Sequence, residues 1–238
     1  MPSFSLVIPF FNEESAANKV IESYWHALTA KNISFEMILV NNGSSDNTRP
    51  ILSGWCARHK DNMRLVDVER NQGYGWGILQ GADIAQGDWI STIPGDGQLS
   101  ADDLVNIFES TQNSQAKASK GCRQKRSENF LRKFQSRTYN AFFSFLFPDV
   151  SVKDINGWPK VVRREIWRTL DLISKDWFID AEIILKLTEK NILILDIPIT
   201  PQARMGGSSH VRISAIVEFM KNLVIWRLTR GSPWKKSD

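Results

Sequence analysis

Polar side chains that can do chemistry follow three apolar runs in the first hundred residues. A carboxylate at such a point can ligate a hard divalent cation, and an amide can hydrogen-bond a nucleoside. The same residue types are common turn formers and helix caps, so each one alone also fits a structural role. Three clusters, at the ends of the first, second and fourth apolar runs, favour one shared site. They are Asn12, Glu13 and Glu14; Asn41, Asn42 and Ser44; and Asp96 and Gln98.

Apolar runs alternate with helical patterns around these clusters. Apolar strands joined by amphipathic helices predict βαβ units and a mainly parallel sheet flanked by helices. Ligands bind beyond the carboxyl ends of the strands in such sheets, so we expect the polar clusters to converge there. The predicted strands are Phe4–Phe10, Phe35–Val40, Met63–Val68 and Asp88–Ile93, and the predicted helices are Ala17–Thr29, Thr48–His59 and Gly75–Ala85.

The second half of the chain has a less regular pattern. A length of 238 residues with 42% hydrophobic content suits one α/β domain, predicted over residues 1–211, followed by an amphipathic helix and basic tail over 212–238. The predicted helices are Leu104–Gln112, Phe130–Phe147, Val161–Thr169, Ala181–Lys190 and Ile213–Leu228, and the predicted strands are Ala116–Lys120 and Ile192–Ile197.

Four motifs resemble the signatures of family 2 glycosyltransferases of GT-A (Rossmann-like) fold. Their order and spacing match the family across residues 4 to 105. This resemblance implies an enzyme that moves a sugar, with inversion, from a UDP- or GDP-sugar. The motifs are Val7–Glu14 (VIPFFNEE), Val40–Thr48 (VNNGSSDNT), Asn71–Gly75 (NQGYG) and Thr92–Gln98 (TIPGDGQ), the last standing where the family has its Asp-x-Asp.

The resemblance assigns roles to the residues of these motifs. Asp96 becomes the ligand of Mg²⁺ or Mn²⁺, which would stabilise the leaving diphosphate. Gly73 and Gly75 would let the backbone pass close to the donor. The residues expected at the nucleotide sugar are Pro9, Asn12, Glu13, Glu14, Asn41, Asn42, Ser44, Asn71, Gly73, Gly75, Asp96 and Gln98.

Two departures from the family pattern weaken the expected metal and base sites. Pro94 stands where the first Asp of the Asp-x-Asp lies, and Asn41-Asn42 replace an acidic pair. Water and the diphosphate can fill a Mg²⁺ shell, so we expect weaker metal binding and no clear choice of base. A non-catalytic nucleotide-sugar binder is therefore one alternative.

Later motifs resemble the polyprenyl-phosphate branch, the relatives of dolichyl-phosphate mannosyl- and glucosyltransferases. They are Asp154–Gly157 (DING), Arg163-Arg164, Trp177–Glu182 (WFIDAE) and Arg204–Ser209 (RMGGSS). The resemblance implies a lipid-phosphate acceptor, with Asp96, Asp154, Asp180 and Arg204 as catalytic candidates. The residues expected to hold the acceptor phosphate are Arg123, Arg126, Arg132 and Ser136, with Arg204 as a further candidate.

Asp180 separates two acceptor hypotheses. It is the candidate general base if the acceptor is a sugar hydroxyl of a glycan under assembly, and otherwise a helix N-cap ahead of Ala181. A phosphomonoester has a second pKa of about 6 and is mostly dianionic at neutral pH. A lipid phosphate therefore needs positioning rather than a strong base.

The positive charge behind the net +4 is concentrated between Lys117 and Arg137, a segment that contains eight basic residues and one acidic residue. Aromatic residues interleave with this charge in a predicted interfacial helix within residues 127–147, which suits an anionic membrane surface. A buried helix with solvated edges is the alternative. The sequence contains no recognisable nucleic-acid module, so nucleic acid is not an expected partner. The final helix with Trp226 is a second membrane element or a contact in a homo-oligomer.

We expect a cytoplasmic protein that is peripheral at the inner face of the cell membrane. The sequence opens on an apolar strand without a charged leader, and it contains no apolar run of about 18 residues. Cys56 and Cys122 lack the spacing of a disulfide framework or a zinc site.

Overall fold

The computed structural model describes residues 2–124, 141–148, 150, 152–206 and 213–229, with side chains of the last helix from residue 218 onward. The strands are β1 (Phe4–Phe10), β2 (Phe35–Asn42), β3 (Met63–Val68), β4 (Trp89–Thr92), β5 (Ala118–Arg123), β6 (Lys160–Arg163) and β7 (Ile194–Ile199). The helices are α1 (Ala17–Ala30), α2 (Thr48–Arg58), α3 (Tyr74–Asp83), α4 (Ala101–Gln112), α5 (residues 141–146), α6 (Arg164–Thr169), α7 (Ile179–Glu189) and α8 (Ile213–Thr229).

The strands form one seven-stranded sheet in the order β3-β2-β1-β4-β6-β5-β7. β1 pairs in parallel with β2 and β4, β2 with β3, and β5 with β7. β6 is antiparallel to both of its neighbours. The predicted α/β fold with a mainly parallel sheet flanked by helices is therefore confirmed. β1–β5 all end at the same edge of the sheet, whereas β6 runs in the opposite direction.

Alternate residues of β1 face opposite sides of the sheet, as the period of a strand requires. Leu6 and Ile8 pack with α1, α2 and α4 in one buried cluster. Val7 packs with α3, α6 and α7 in the other. A third cluster joins α5, α7 and α8 and includes Phe143 and Trp226. Both faces of the sheet are covered, which holds the polar strand ends at its edge.

The predicted helix over Val161–Thr169 was wrong in its first part. Residues Lys160–Arg163 form β6, and α6 begins only at Arg164. Val161 and Val162 fill opposite faces of the sheet between β4 and β5, so two β-branched residues in succession favoured the strand. The strand β7 also continues through Pro198, which an edge strand tolerates because it lacks a partner on one side.

The predicted helix Phe130–Phe147 lies mostly outside the described residues. Only its last part falls within them, and there α5 is helical. Among the helices that the structure describes, none has the length and apolar character needed to cross a bilayer.

Candidate active site

The turn after β4 is fixed against the end of β1. The Ile93 N–H donates to the Val7 carbonyl at 3.2 Å, and the Gly95 N–H donates to the Pro9 carbonyl at 3.2 Å. A Cβ at position 95 would lie 2.4 Å from the ring of Phe10, so the turn approaches β1 as closely as glycine permits. These contacts place Asp96 beside the residues that follow β1.

Asp96, Glu13 and Arg204 meet at this edge. One guanidinium nitrogen, Nη2 of Arg204, lies 3.1 Å from Asp96 Oδ2 and 3.2 Å from Glu13 Oε1. The Met205 N–H donates to the Asp96 carbonyl at 3.1 Å, which fixes the arginine segment over the turn. Three residues that the sequence assigned to the donor or to catalysis are thus brought together, and two of them are 108 positions apart.

Glu13 is a buried carboxyl in an environment that favours its neutral form. Burial raises its pKa from 4.5 to about 7; Arg204 opposes this rise, while Asp96 and Asp46 add to it. Its Oε2 and the Oδ1 of Asn42 are buried without a hydrogen-bond partner among the described residues. Unsatisfied buried acceptors are costly, so this edge is suited to a ligand that brings donors or positive charge.

The donor set for a metal ion is small. No cluster of three or more His, Cys, Asp or Glu side chains suited to a metal occurs in the part of the chain that the structure describes. Asp96 and Glu13 nevertheless place two carboxyl groups around one position, which the guanidinium of Arg204 now occupies. This fits a Mg²⁺ or Mn²⁺ ion that takes its remaining ligands from a diphosphate and water.

The turns after β1 and β2 are tied together by their own polar side chains. The Asn12 N–H donates to Ser44 Oγ at 3.1 Å, and the Ser45 N–H donates to Asn12 Oδ1 at 2.8 Å. The Asn47 N–H donates to Glu14 Oε2 at 2.9 Å. The structural role of turn formers therefore accounts for the side chains of Asn12, Glu14 and Ser44, and their contact with a donor stays a prediction.

Asp67 is a residue of this edge that the sequence analysis missed. It pairs with Asn41 across β2 and β3 and accepts a hydrogen bond from Asn41 Nδ2 at 2.7 Å. Arg49 Nε donates to its other oxygen at 2.5 Å. The Asn41 hydrogen bond, together with Arg49, lowers the pKa of Asp67. Asn41 stands where the family pattern has an acidic residue, and Asp67 places a carboxylate beside it on the neighbouring strand. The sequence signal for Asp67 was its position near the end of β3.

The glycines of the Asn71–Gly75 motif allow the backbone of another segment of the chain to approach closely. A Cβ at Gly73 would lie 2.3 Å from the Lys175 carbonyl oxygen, and one at Gly75 would lie 2.4 Å from that of Ser174. These close approaches give both glycines a structural role, and the passage of the backbone close to the donor stays a prediction. Asn71 Oδ1 accepts the Gly73 N–H at 2.7 Å, and Asn42 Nδ2 donates to the Gly73 carbonyl at 2.9 Å.

Asp180 is not a helix cap. Phe178 is the N-cap of α7, and Asp180 lies inside the first turn with only 8% of its side chain exposed. Lys160 Nζ donates to its Oδ1 and, at 3.1 Å, to the Gly157 carbonyl. Burial lowers the pKa of Lys160, while the charge and hydrogen bond of Asp180 oppose this. Lys160 was missed because it lies one residue before the predicted helix Val161–Thr169 and was assigned to no element.

Arg123 and Asp154 form a bidentate pair at the end of β5. Arg123 Nε donates to Asp154 Oδ2 at 2.6 Å, and Nη2 donates to Oδ1 at 2.5 Å. β5 runs parallel to β4, since both are antiparallel to β6. The pair therefore stands at the edge that carries Asp96. The other predicted acceptor residues, Arg126, Arg132 and Ser136, lie outside the described residues.

Several known proteins are similar in sequence to this chain. A dodecaprenyl-phosphate galacturonate synthase of Rhizobium johnstonii is 28% identical over 172 residues, covering 72% of this chain and 51% of that protein. The chain thus spans about half the length of this relative. A dolichyl-phosphate beta-glucosyltransferase of Trichomonas vaginalis is 24% identical over 98% of this chain and 76% of its own length.

A solved structure shares the fold. Glucosyl-3-phosphoglycerate synthase from Mycobacterium tuberculosis, crystallised with Mn²⁺, UDP-glucose and phosphoglyceric acid, superposes with a TM-score of 0.73 at 16% identity, covering 96% of this chain and 79% of that one. The family model described as glycosyl transferase family 2 matches residues 5–179. Because that match takes in most of the chain and contains Glu13, Asp96 and Asp154, the chain belongs to glycosyl transferase family 2.

Proposed function

We propose that this chain moves a sugar from a nucleoside-diphosphate sugar to a polyprenyl phosphate. The observation that carries the proposal is the meeting of Asp96, Glu13 and Arg204 at the carboxyl edge of the sheet, with the Arg123–Asp154 pair at the same edge. Acidic groups on one side suit a metal-bound diphosphate, and an oriented guanidinium on the other suits an acceptor phosphate. Two relatives, named as a dodecaprenyl-phosphate galacturonate synthase and a dolichyl-phosphate beta-glucosyltransferase, support the same class of acceptor.

On the donor side, Asp96 and Glu13 would hold the cation. A divalent cation bound there would supply stabilisation of the negative charge on the leaving diphosphate. Arg204, which now lies between the two carboxylates, carries the positive charge that a departing diphosphate also requires. The Oδ1 of Asn42, which has no hydrogen-bond partner among the described residues, would accept a hydrogen bond from the nucleotide sugar. The choice between a UDP- and a GDP-sugar is left to experiment.

On the acceptor side, the chain needs to orient a phosphate rather than deprotonate it. A monophosphate is mostly dianionic at neutral pH, so a correctly placed oxygen attacks without a general base. Asp180 supports this acceptor over a sugar hydroxyl because its carboxylate is buried and bound by Lys160. A general base has to reach the proton that it removes.

A cavity next to Asp154 also favours a lipid acceptor. It has a volume of about 330 Å³ and lies against both polar and apolar side chains. Phe143, Val152 and Ile155 supply apolar surface, and Lys153 and Asp154 supply charge at the same place. An amphipathic acceptor with a phosphate head and an isoprenoid chain matches this combination of surfaces.

We infer that the chain meets this lipid as a peripheral protein at the cytoplasmic membrane face. Phe145 of α5 is 81% exposed and Leu228 of α8 is 79% exposed. Exposed apolar side chains on helices suit a membrane interface, and on α8 the basic Arg227 directly precedes Leu228. The double variant Phe145→Ser and Leu228→Ser should reduce flotation with anionic vesicles, whereas Leu193→Ser, at a side chain that is 70% exposed after α7, should not. A subunit contact at α8 would instead change the mass of the particle in solution.

The donor half is tested by binding. Nucleoside diphosphates with Mn²⁺ should raise the melting temperature of the wild-type protein, and Asp96→Asn should remove the part that depends on Mn²⁺. The exposed Asp102, in the first turn of α4, provides the matched control Asp102→Asn. If no nucleotide stabilises the wild-type protein, the proposed donor class is wrong.

The acceptor half is tested by transfer. A radiolabelled nucleotide sugar and a short polyprenyl phosphate should give a lipid-linked sugar that depends on Mn²⁺ or Mg²⁺. Transfer to free glycans but not to the lipid phosphate would favour the hydroxyl acceptor. Nucleotide binding without release of nucleoside diphosphate on any acceptor would favour a non-catalytic binder.

A further inference from the structure

Lys120 is a wholly buried lysine on β5 that the proposed reaction does not use. Its Nζ donates to the carbonyl oxygens of Lys153 and, at 3.0 Å, of Asp154. It also forms an ion pair with Asp196 Oδ1 at 2.9 Å. An ammonium group has three donors, and burying it is costly unless partners surround it. The partners here are two backbone carbonyls of one loop and a carboxylate from β7.

The same loop is held from its other side by Asp196. The Lys153 N–H donates to Asp196 Oδ2 at 2.8 Å. Residue 153 is thus bound through its N–H by Asp196 and through its carbonyl by Lys120. The side chain of Asp196 is 23% exposed, whereas that of Lys120 is not exposed at all. Together the two charged groups fix the backbone that leads into Asp154.

Asp154 requires such support because its backbone is left-handed, with φ of +52°. This conformation is costly for a residue with a side chain and persists where the surrounding structure imposes it. The loop also lies directly on β5, since a Cβ at Gly157 would be 2.0 Å from the Gly121 carbonyl oxygen. The contacts of Lys120 are therefore made to a strained and closely packed segment.

The consequence of this backbone is the direction of the Asp154 carboxylate. It accepts hydrogen bonds from the N–H, Nε and Nη2 of Arg123, so it fixes both the strand end and the guanidinium. An arginine has five N–H donors in a rigid plane, of which Asp154 takes two. Holding that plane decides where the other N–H groups point, and planar recognition of a phosphate depends on that direction.

We propose that Lys120, together with Asp196, is a positioning residue that holds Asp154 and so orients the guanidinium of Arg123 toward the acceptor phosphate. The proposal rests on the proposed function for the identity of the acceptor, but its structural step does not. A purely structural lysine would change the amount of folded protein and would leave the affinities of the folded fraction unaltered. A positioning lysine changes the acceptor affinity selectively.

The test compares Lys120→Met, which removes the ammonium and keeps the volume, with Lys117→Met at an exposed lysine just before β5. The first readout is the Nε–H resonance of Arg123, assigned by its loss in Arg123→Lys. We expect it to shift and to exchange faster with water in Lys120→Met but not in Lys117→Met. An unchanged resonance in Lys120→Met would overturn the proposal whatever the acceptor is.

The second readout is steady-state kinetics with a short polyprenyl phosphate. Lys120→Met should raise the KM for the acceptor about tenfold, the effect of losing one charge-assisted hydrogen bond in part, with kcat and the donor KM within about twofold. A proportional loss of kcat at constant KM would contradict the positioning role. Asp196→Asn, which keeps an acceptor for the Lys153 N–H, should show the same pattern at smaller size and replaces Lys120→Met if that variant does not fold.

The two hypotheses fail differently. If the wild-type protein binds nucleotide but transfers nothing to lipid phosphate, the proposed acceptor is wrong, and the Arg123 resonance still decides whether Lys120 positions it. If transfer occurs and Lys120→Met leaves the acceptor KM unchanged, the positioning role of Lys120 is wrong and the proposed function stands.

Discussion

The buried carboxyl of Glu13 should make the protein lose stability as pH rises from 5 to 8. The unfolded chain releases this proton near pH 4.5, whereas the folded protein retains it until pH about 7. Between these values the folded state binds more protons, so the free energy of unfolding falls as pH rises and becomes constant above pH 7. If Arg204 instead lowered the pKa of Glu13, the free energy of unfolding would rise with pH.

The size of this loss follows from the pKa values. The difference between 4.5 and about 7 corresponds to about 3.4 kcal/mol in full, and about 2.5 kcal/mol of it falls between pH 5 and 8. Arg204, whose side chain is 25% exposed, admits solvent to one side of the pocket, so we expect about 2 kcal/mol. Glu13→Gln cannot ionise and should not show this loss.

Urea unfolding at pH 5 and pH 8, in a chelator that removes divalent cations, measures the effect. Glu13→Gln should gain about 2 kcal/mol on the wild-type protein between the two pH values. Groups common to both proteins cancel in this comparison. Glu218→Gln, at an exposed position of α8, should give no change. Equal pH dependence in wild type and Glu13→Gln would refute the reasoning, and a difference of opposite sign would show that the ion pair with Arg204 outweighs burial.

Three further variants test the surroundings of the site. Lys160→Met should lower the free energy of unfolding by about 3 kcal/mol in urea titrations, since it leaves the carboxylate of Asp180 buried without its ammonium. Gly75→Ala should weaken nucleotide-dependent thermal stabilisation, because its Cβ would lie 2.4 Å from the Ser174 carbonyl oxygen and would move the loop away. Leu223→Ala, fully buried between α8 and its neighbours, should cost about 2–4 kcal/mol and lower the melting temperature, and an unchanged Tm would contradict the packing of α8.

The part of the fold that contains β1–β4 could be predicted from the sequence because its signals are local. The strands β1–β3 and helices α1–α4 follow the hydrophobic period, and polar residues mark where the strands end. The convergence of Glu13 and Asp96 followed from the rule for parallel sheets. The boundaries differed by a few residues, as for β4, which is Trp89–Thr92.

The part that contains β5–β7 could be predicted less well because its determinants are long-range. β6 is a strand because it fills the space between β4 and β5, and its two β-branched residues are too short a local pattern to distinguish it from the start of α6. The position of Arg204 between two carboxylates depends on contacts across 108 positions. The pairing of Lys120 with the 153–154 backbone is also non-local, so the sequence around this lysine of β5 gave no indication of its partner.

The place of β6 in the sheet has a consequence for how the chain assembles. β1 to β4 are complete by residue 92, so these four strands can pair as soon as that length of chain is available. β5 has to wait for residues 160–163, because β6 separates it from β4. Closing such a long loop is slow compared with local pairing. We therefore expect β1–β4 to form first during synthesis, with β5 joining the sheet only after β6 has docked.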